Sequence, residues 1–484
     1  MDEIVGRGER VSSAGRLGKS REISLRSSGL AGELGFWQMN VLDITPFSGE
    51  CAGSIDVPGS KSISNRALIL AVLCDTEVQL QGMLDSEDVS LMKEALVSLG
   101  VSIQQGEQPN SLKVSGCGGS FPIKKQKIEV GNAGTVARFL TALLALQKDG
   151  TYHLDGSEAM RLRPMKELLS SLERAGCRFE FHGEEGFFPF TMRTNGLRPG
   201  DFEVDATQSS QVLSALLMVA PLVFEDTTVR YPGGTVSEPF VEITLRMMSS
   251  FSPEQDYSYD FQKSEVRIRS KGYSRETIHY LVEPDATAAS YFMTLPVSIG
   301  GSCEVEGISA TMLQGDADYG TVLKNIGLKV EFNERGVKTL KNGGLEGGSY
   351  DFNAISDTFL SLAAVSPLLE QPIAISGIAH TRKQETDRVG AMATELRRLG
   401  QAVEESHDQL KITQNLKQLK QLASDGIEIE TYHDHRFAMS FAILGCHDLL
   451  GDGRPWLRIR NPNCCSKTFP NFFQKLDQLR KQSQ

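Results

Sequence analysis

The sequence predicts an α+β protein of six repeated units, gathered in two lobes of three. Three observations carry that expectation. Amphipathic helices end at Gly100, Gly176, near Phe251, at Gly327, at Gly400 and near residue 476, at intervals of 76, 75, 76, 73 and about 76 residues. Helices that are apolar nearly all round begin near Ser60, Asn132, Gln208, Pro284, Ser356 and His433, again about 70–80 residues apart. Short β-rich runs such as CRFEF, TVRYP, PIAISGI and WLRIRNP lie between them. Two helix families with one period mark a structural repeat rather than chance spacing.

The elements follow in order. Residues 1–38 are rich in Ser, Gly and Arg and lack aliphatic periodicity. Asp2, Glu3, Glu9, Glu22 and Glu33 are too many acids for a transit peptide, and there is no apolar h-region. The stretch reads as a disordered tail or an upstream start, with Met39 opening the folded protein. Residues 39–484 then divide into six units of about 74. In the amphipathic helices, Gly100, Gly176, Gly327 and Gly400 fall just past the last turn, where a left-handed cap is wanted. The apolar helices are expected to be buried on every face.

Each apolar helix opens on residues that cap, charge or hydrogen-bond: Lys61-Ser62, Asn132, Ser209-Ser210-Gln211, Asp285, Asp357 and Asp434-His435-Arg436. A helix N-terminus carries about half a positive charge and free N–H groups. Ser, Asn and Asp are also ordinary N-caps, so one such head says little. Six at equivalent places converge if the helices pack together, and converged N-termini form an anion site. The Lys, Ser, Asn and Gln heads lie in the first half; Asp285 and Asp357 lie in the second. That sets an anion-binding lobe against a lobe that supplies carboxylates. Arg66, Arg163, Arg388, Arg436 and Lys467 stand near helix mouths. Arg suits bidentate capture of phosphate or carboxylate.

Composition sets the outer limits. The chain has 484 residues, more than one ordinary core holds. Hydrophobic residues at 40% and charged residues at 23% exclude a disordered or fibrous chain. Fifty basic against 61 acidic side chains give a formal net charge of −11, a poor match for nucleic acid. Eight cysteines with no CxxC pair read as a reducing, cytoplasmic setting. No apolar run reaches the roughly 18 residues of a membrane span.

The motifs VPGSKSISNRAL, GNAGTVARFL, MRLRPMKELL, DATQSSQVLSALLM, EPDATAASYF, QGDADYG, QETDRVGAMATELRRLG, YHDHRFAMSF and SKTFPNFF run in order from about residue 48 to residue 481. Together they resemble the 5-enolpyruvylshikimate-3-phosphate synthase family of enolpyruvyl transferases. The resemblance implies two lobes, each of three βαβαββ units with buried parallel helices. One lobe would comprise residues 39–59 with 283–484, the other residues 60–282, with the active site in the cleft between them. It implies transfer of the enolpyruvyl group of phosphoenolpyruvate to the 5-hydroxyl of shikimate 3-phosphate, with release of phosphate (EC 2.5.1.19). That reaction belongs to the shikimate pathway and proceeds through a tetrahedral intermediate. No metal or organic cofactor is implied, no nucleic-acid or membrane partner, and a monomer is expected.

Carried over by motif, Lys61, Ser62, Arg66, Ser209, Ser210, Gln211, Ser237, Asp357, His380 and Gln384 correspond to ligands of shikimate 3-phosphate. Lys61, Asn132, Gly134, Arg163, Gln211, Arg388, Arg436 and Lys467 correspond to the phosphoenolpyruvate clamp. Asp357, Glu385 and Lys61 correspond to the catalytic groups. Gly134 and Thr135 match members inhibited by glyphosate, which occupies the phosphoenolpyruvate site, so inhibition competitive with that substrate is expected. The chemistry needs these types. A proton must reach C3 of the enol, another must leave the 5-hydroxyl, and two anionic substrates in one cleft need a dense cation cluster.

The sequence departs from the family pattern at four places. Gln384 stands where a substrate-binding lysine is usual, preceded by Lys383; adjacent side chains point different ways, so Lys383 replaces it only if the backbone shifts. His380 stands for a common Asn, Ala159 for an Arg, and Phe139 for a Pro. Other functions fit parts of the chain. Gln384 would also suit a non-catalytic or substrate-shifted relative. UDP-N-acetylglucosamine enolpyruvyl transferase would need a loop cysteine, for which Cys117 is the candidate. An RNA-end-processing cyclase on similar repeats is opposed by the acidic composition.

Overall fold

Among the described residues the strands form six small sheets, five of four strands and one of three. The structure is a computed structural model that describes residues 40–235, 238–252, 257–260 and 262–484. The tail expected at residues 1–38 lies outside the described residues, and so does Ser237. In each four-stranded sheet one outer strand runs parallel to its neighbour and the other pairings are antiparallel.

One sheet shows how local sequence produces this. Lys125–Glu129 runs parallel to Gly150–Asp155, which pairs antiparallel with Phe190–Thr194. Parallel neighbours need a crossover, and the helix Gly134–Ala145 supplies it. Along Gly150–Asp155, Gly150, Tyr152 and Leu154 are buried while Thr151, His153 and Asp155 are half-buried, the period of two expected of a strand.

The two helix families separate as their sequences predict. Every residue of Gly134–Ala145 and of His435–Gly445 is buried. In Ala286–Ile299 only the last residue is not. The Lys166–Arg174 helix instead buries Leu168, Leu169, Ser171 and Leu172 and leaves its charged face to water. Gly100, Gly176, Gly327 and Gly400 take φ of +93°, +109°, +108° and +77°, the left-handed caps the sequence calls for. Burial of a Leu or Phe side chain contributes about 1.5–3 kcal/mol. Helices packed on all sides therefore hold their N-termini in fixed positions.

Three sheets are built from residues 77–281 and three from residues 41–55 and 301–460. One cluster of buried apolar side chains runs from Ile63 to Val282. The chain passes between the two sets of sheets at two adjacent places. Gly59 bridges Pro284, the Ser60 N–H donates to the Glu283 carbonyl at 2.8 Å, and the Asp285 N–H donates to the Pro58 carbonyl at 2.8 Å. A Cβ at residue 59 would lie 1.9 Å from the Gly82 carbonyl oxygen, so no side chain fits at this crossing. Among the described residues no helix is long and apolar enough to cross a membrane.

Candidate active site

The mouths of the buried helices meet at a cavity of about 310 Å³. Residues from six heads line it, among them Lys61, Thr135, Gln211, Asp285, Asp357 and Arg436. Direct bonds join them across long stretches of chain. The Lys61 N–H donates to Asp285 Oδ2 at 3.3 Å, and Gln211 Nε2 donates to Thr135 Oγ1 at 3.2 Å. Lys467 Nζ donates to the Asn132 carbonyl at 3.4 Å.

Some heads are also caps. Ser209 Oγ accepts from the Gln211 N–H at 3.3 Å, Asp285 Oδ1 from the Ala288 N–H at 2.9 Å, and Asp434 Oδ1 from the Arg436 N–H at 3.0 Å. Asp357 corrects the expectation of a sixth helix head. It lies in the 3₁₀ turn Asn353–Thr358, and the helix begins only at Phe359. Its carboxylate serves two arginines instead of backbone N–H groups. Arg388 Nη1 donates to Asp357 Oδ1 at 2.9 Å, and Arg436 Nη2 to Oδ2 at 2.5 Å.

The expected division into a cationic half and a carboxylate half also needs correction. The second half supplies both signs, held together. Arg388, 1% exposed, reaches Asp434 at 2.7 Å, Glu385 at 2.8 Å and Asp357 at 2.9 Å. Its Nη1 also donates to Gln384 Oε1. Lys467 Nζ lies 2.8 Å from the other Glu385 oxygen. The reason is physical: a charge out of water must be paired where it stands.

Electrostatics follow from that pairing. Burial works against the Asp357 charge, yet Arg436 and Arg388 outweigh it and hold the carboxyl below its usual range. Burial likewise opposes the Glu385 charge, and Lys467 and Arg388 overcome it by a wider margin. Asp316, which accepts from Thr287 Oγ1 at the cavity wall, behaves differently. Burial, with Asp357 nearby, pushes its carboxyl up to about 7. Burial keeps the His435 imidazole neutral, with Arg436 and Lys61 adding to the effect; neither ring nitrogen has a hydrogen-bond partner, and Nδ1 lies 3.7 Å from Asp434 Oδ1.

Other expected residues fall into place around this cluster. Lys61 Nζ lies 3.5 Å from Asp88 and lines the cavity with Ser62. Ser209, Ser210, Arg163 and Gln384 line it too. His380 Nε2 shares a 2.8 Å bond with Ser356 Oγ, and burial lowers its pKa. Arg66 is more deeply set than its motif implies. Its guanidinium donates to Thr244 Oγ1 at 2.8 Å, to the Ser62 carbonyl at 3.1 Å and to Ser214 Oγ at 3.1 Å. It also stands 5.1 Å from the Phe139 ring centroid, a cation–π contact made by one of the departing residues. Burial brings its pKa down to about 9.

At Lys383 the backbone departs from the regular alternation that would turn it away from Gln384. Lys383 lines the same cavity as Gln384, and its Nζ donates to Gln208 Oε1 at 2.6 Å. The chain leaves the 3₁₀ turn Ala379–Lys383 with Gln384 at φ −91° and ψ −132°, so regular side-chain alternation does not apply. Cys117, the candidate loop acid, donates its Sγ–H to the Val72 carbonyl at 3.5 Å and is not part of the cavity lining.

Gly134 illustrates how tightly the cations are set. A Cβ there would lie 2.6 Å from Arg163 Nη2 and 2.8 Å from Arg138 Nη1. Overpacking of this kind costs about 1–3 kcal/mol. We expect Gly134→Ala to displace these guanidinium groups and to weaken binding of inorganic phosphate in the cavity by about one to two orders of magnitude. Titration of the parent and the variant with phosphate checks this. Arg138 and Asp316 carried no role in the sequence reading. The signal for Arg138 was available: an arginine inside TVARFLTALLA, a helix with no other charge.

Paired buried charges at converged helix N-termini define a class: enzymes that seat small anionic substrates and move protons between them. The comparisons with known proteins make it specific. The family model for EPSP synthase (3-phosphoshikimate 1-carboxyvinyltransferase) matches residues 47–476. A 3-phosphoshikimate 1-carboxyvinyltransferase of Opitutus terrae is 46% identical over 447 residues, spanning 92% of this chain and 98% of the relative. One of Nostoc punctiforme is 38% identical over 444 residues, spanning 92% and 100%. The solved structure of EPSP synthase from Acinetobacter baumannii aligns with a TM-score of 0.72 at 23% identity, covering 91% of this chain and 98% of that one. That likeness bears on the fold alone. The chain belongs to the EPSP synthase family, with the family's two-lobed α+β fold. It transfers the enolpyruvyl group of phosphoenolpyruvate to shikimate 3-phosphate in the shikimate pathway.

Proposed function

We propose that this transfer runs by addition and elimination at the cavity where Asp357, Glu385, Arg388 and Lys467 meet. The observation that carries the reading is this four-residue cluster, two carboxylates on two cations, within 2.8–2.9 Å contacts. In the addition, the 5-hydroxyl oxygen bonds to C2 of phosphoenolpyruvate and loses its proton, while C3 gains one and becomes a methyl group. In the elimination, the methyl group returns a proton, the C2–O bond to phosphate breaks, and the enol ether forms. Asp357 and Glu385 are the groups we assign to these proton moves, with Lys61 beside them. Positioned acids and bases contribute about 10²–10⁴-fold.

Both carboxyls are held ionised by neighbouring cations. Incoming phosphate and carboxylate groups compete for the same guanidinium and ammonium groups. Each cation drawn to substrate raises the carboxyl it leaves, so substrate entry readies the acid. Lys61, Asn132, Gly134, Arg163, Gln211, Arg388, Arg436 and Lys467 are read as the phosphoenolpyruvate side. Lys61, Ser62, Arg66, Ser209, Ser210, Gln211, Asp357, His380 and Gln384 are read as the shikimate 3-phosphate side, with Ser237 assigned by motif alone.

We also read the fold as three βαβαββ units per lobe, with lobes of residues 39–59 plus 283–484 and residues 60–282. Five four-stranded sheets with one pairing pattern support the repeat. The paired crossing at Gly59 and Pro284 supports the boundary. Closure of two lobes would exclude water from the reacting groups.

A phosphate-release assay with both substrates tests the assignment. Release should require phosphoenolpyruvate and shikimate 3-phosphate together, and glyphosate should compete with the former. No release at saturating substrates would sink the reading. The same assay tests the departure at residue 384. Gln384→Lys puts an ammonium beside Arg388 in place of an acceptor, a site-edge charge worth about 1 kcal/mol. Turnover should stay within about tenfold. A gain of several orders of magnitude would mean that Gln384 impairs the natural enzyme.

A further inference from the structure

We propose that Arg138 is a positioning residue for the phosphoenolpyruvate side of the cavity, acting through Gln211 and Arg163. The inference rests on the assignment of that side made above. Arg138 lies in the second turn of Gly134–Ala145, a helix buried along its whole length. It is 5% exposed and borders the cavity. Its guanidinium donates to the Gly134 carbonyl at 3.1 Å, to the Pro164 carbonyl at 3.1 Å and to Gln211 Oε1 at 3.2 Å. None of these acceptors is a carboxylate, and Arg138 Nε has no partner at all. Taking a guanidinium out of water normally demands a counter-ion. Here the bonds go to neutral acceptors, and Glu167 is the carboxylate close enough to act on the charge.

The three acceptors explain where it is spent. Gly134 opens the helix that follows Asn132. Pro164 follows Arg163 directly. Gln211 belongs to the Ser209 head and holds Thr135 Oγ1 through its other end. One planar fork thus ties together three chain segments, each presenting a residue of the anion side. Arg163 Nη2 and Arg138 Nη1 lie 2.6 Å and 2.8 Å from the point a Cβ of residue 134 would occupy, and Arg163 is close enough to depress the Arg138 pKa. Burial lowers that pKa to about 9, with Arg163 adding to it, so the group remains a cation at neutral pH. Two guanidinium groups flanking one glycine are relieved when a phosphate arrives. Arg138 sets the aim of the cation and amide that grip it, and its own charge adds to the local potential.

The test uses Arg138→Lys and Arg138→Met in the full chain. Lys keeps the charge but cannot span three acceptors in one plane. Both variants should raise the KM for phosphoenolpyruvate at least tenfold and leave that for shikimate 3-phosphate within about threefold. Inorganic phosphate, used as a probe, should inhibit both variants more weakly than the parent, and the Lys variant should keep its thermal midpoint within a few degrees. If the substitutions at 138 do not fold, Thr135→Val, which frees the other end of Gln211, should move the same constant in the same direction. An unchanged KM for phosphoenolpyruvate in a folded variant, or an equal rise for both substrates, overturns the proposal. A parent enzyme that releases no phosphate would overturn the assignment of the site instead.

Discussion

Asp357→Asn should lower kcat by about 10²–10⁴ while the protein stays folded. The carboxamide keeps the shape of the side chain and one acceptor, but it loses the charge and the ability to take a proton. Asp357 is where two buried arginines converge, 2.9 Å and 2.5 Å from its oxygens. Neutralising it leaves Arg436 with Tyr291 Oη at 3.3 Å as its remaining side-chain bond of note. An under-satisfied buried charge costs about 1–3 kcal/mol. The stability loss should therefore be modest, because Arg388 retains Glu385 and Asp434. Turnover by phosphate release and thermal unfolding, measured on the same preparation, separate the two effects. A variant with kcat within threefold of the parent would remove Asp357 from the chemistry and leave it an anchor for arginines.

The heads were legible because chemistry and period coincide there. A polar residue ahead of an apolar run stands out in a single sequence, and six do so at one spacing. Gly176 and its equivalents were legible for the same reason: a cap has a fixed place relative to a helix end. Partnerships were less so. Arg388 and Asp434 are 46 residues apart, and Lys467 and Asn132 are 335 apart. Periodicity tells which face of a helix is buried, not which distant side chain meets it. The apolar neighbours of Asp357 mark it as a helix head in the sequence, although two arginines hold it in a 3₁₀ turn. Arg138 looks in the sequence like an interruption of a core helix. The alternation that separates Lys383 from Gln384 in a regular element fails at the end of a short turn.

Arg388→Met should be the most damaging single change in the site, with kcat/KM down by 10³ or more and stability down by about 3–5 kcal/mol. Three carboxylates lean on this one guanidinium, at 2.7–2.9 Å, and Asp434 is fully buried. Lys467 still serves Glu385 and Arg436 still serves Asp357, but Asp434 loses its ion-pair partner. The pH dependence gives the diagnostic. In the parent, Asp357 and Glu385 have carboxyl pKa values below those of the unfolded chain. Their contribution to stability is present above about pH 4 and is lost as pH falls through the folded values. In the variant Asp357 keeps Arg436 and Glu385 keeps Lys467, each without its second cation, so both pKa values rise. A carboxyl whose pKa rises loses part of that stabilisation above its new pKa, and the loss shrinks as acid neutralises the group. The stability gap between parent and variant should thus be widest near pH 7 and narrow toward pH 4. Urea unfolding at a series of pH values reads this directly. A gap independent of pH would mean that Arg388 acts through packing alone, and that its three short contacts carry no electrostatic weight. Arg388→Lys provides the control if the Met variant does not fold. It restores the charge but not the fork, so it should recover much of the pH profile and little of the activity.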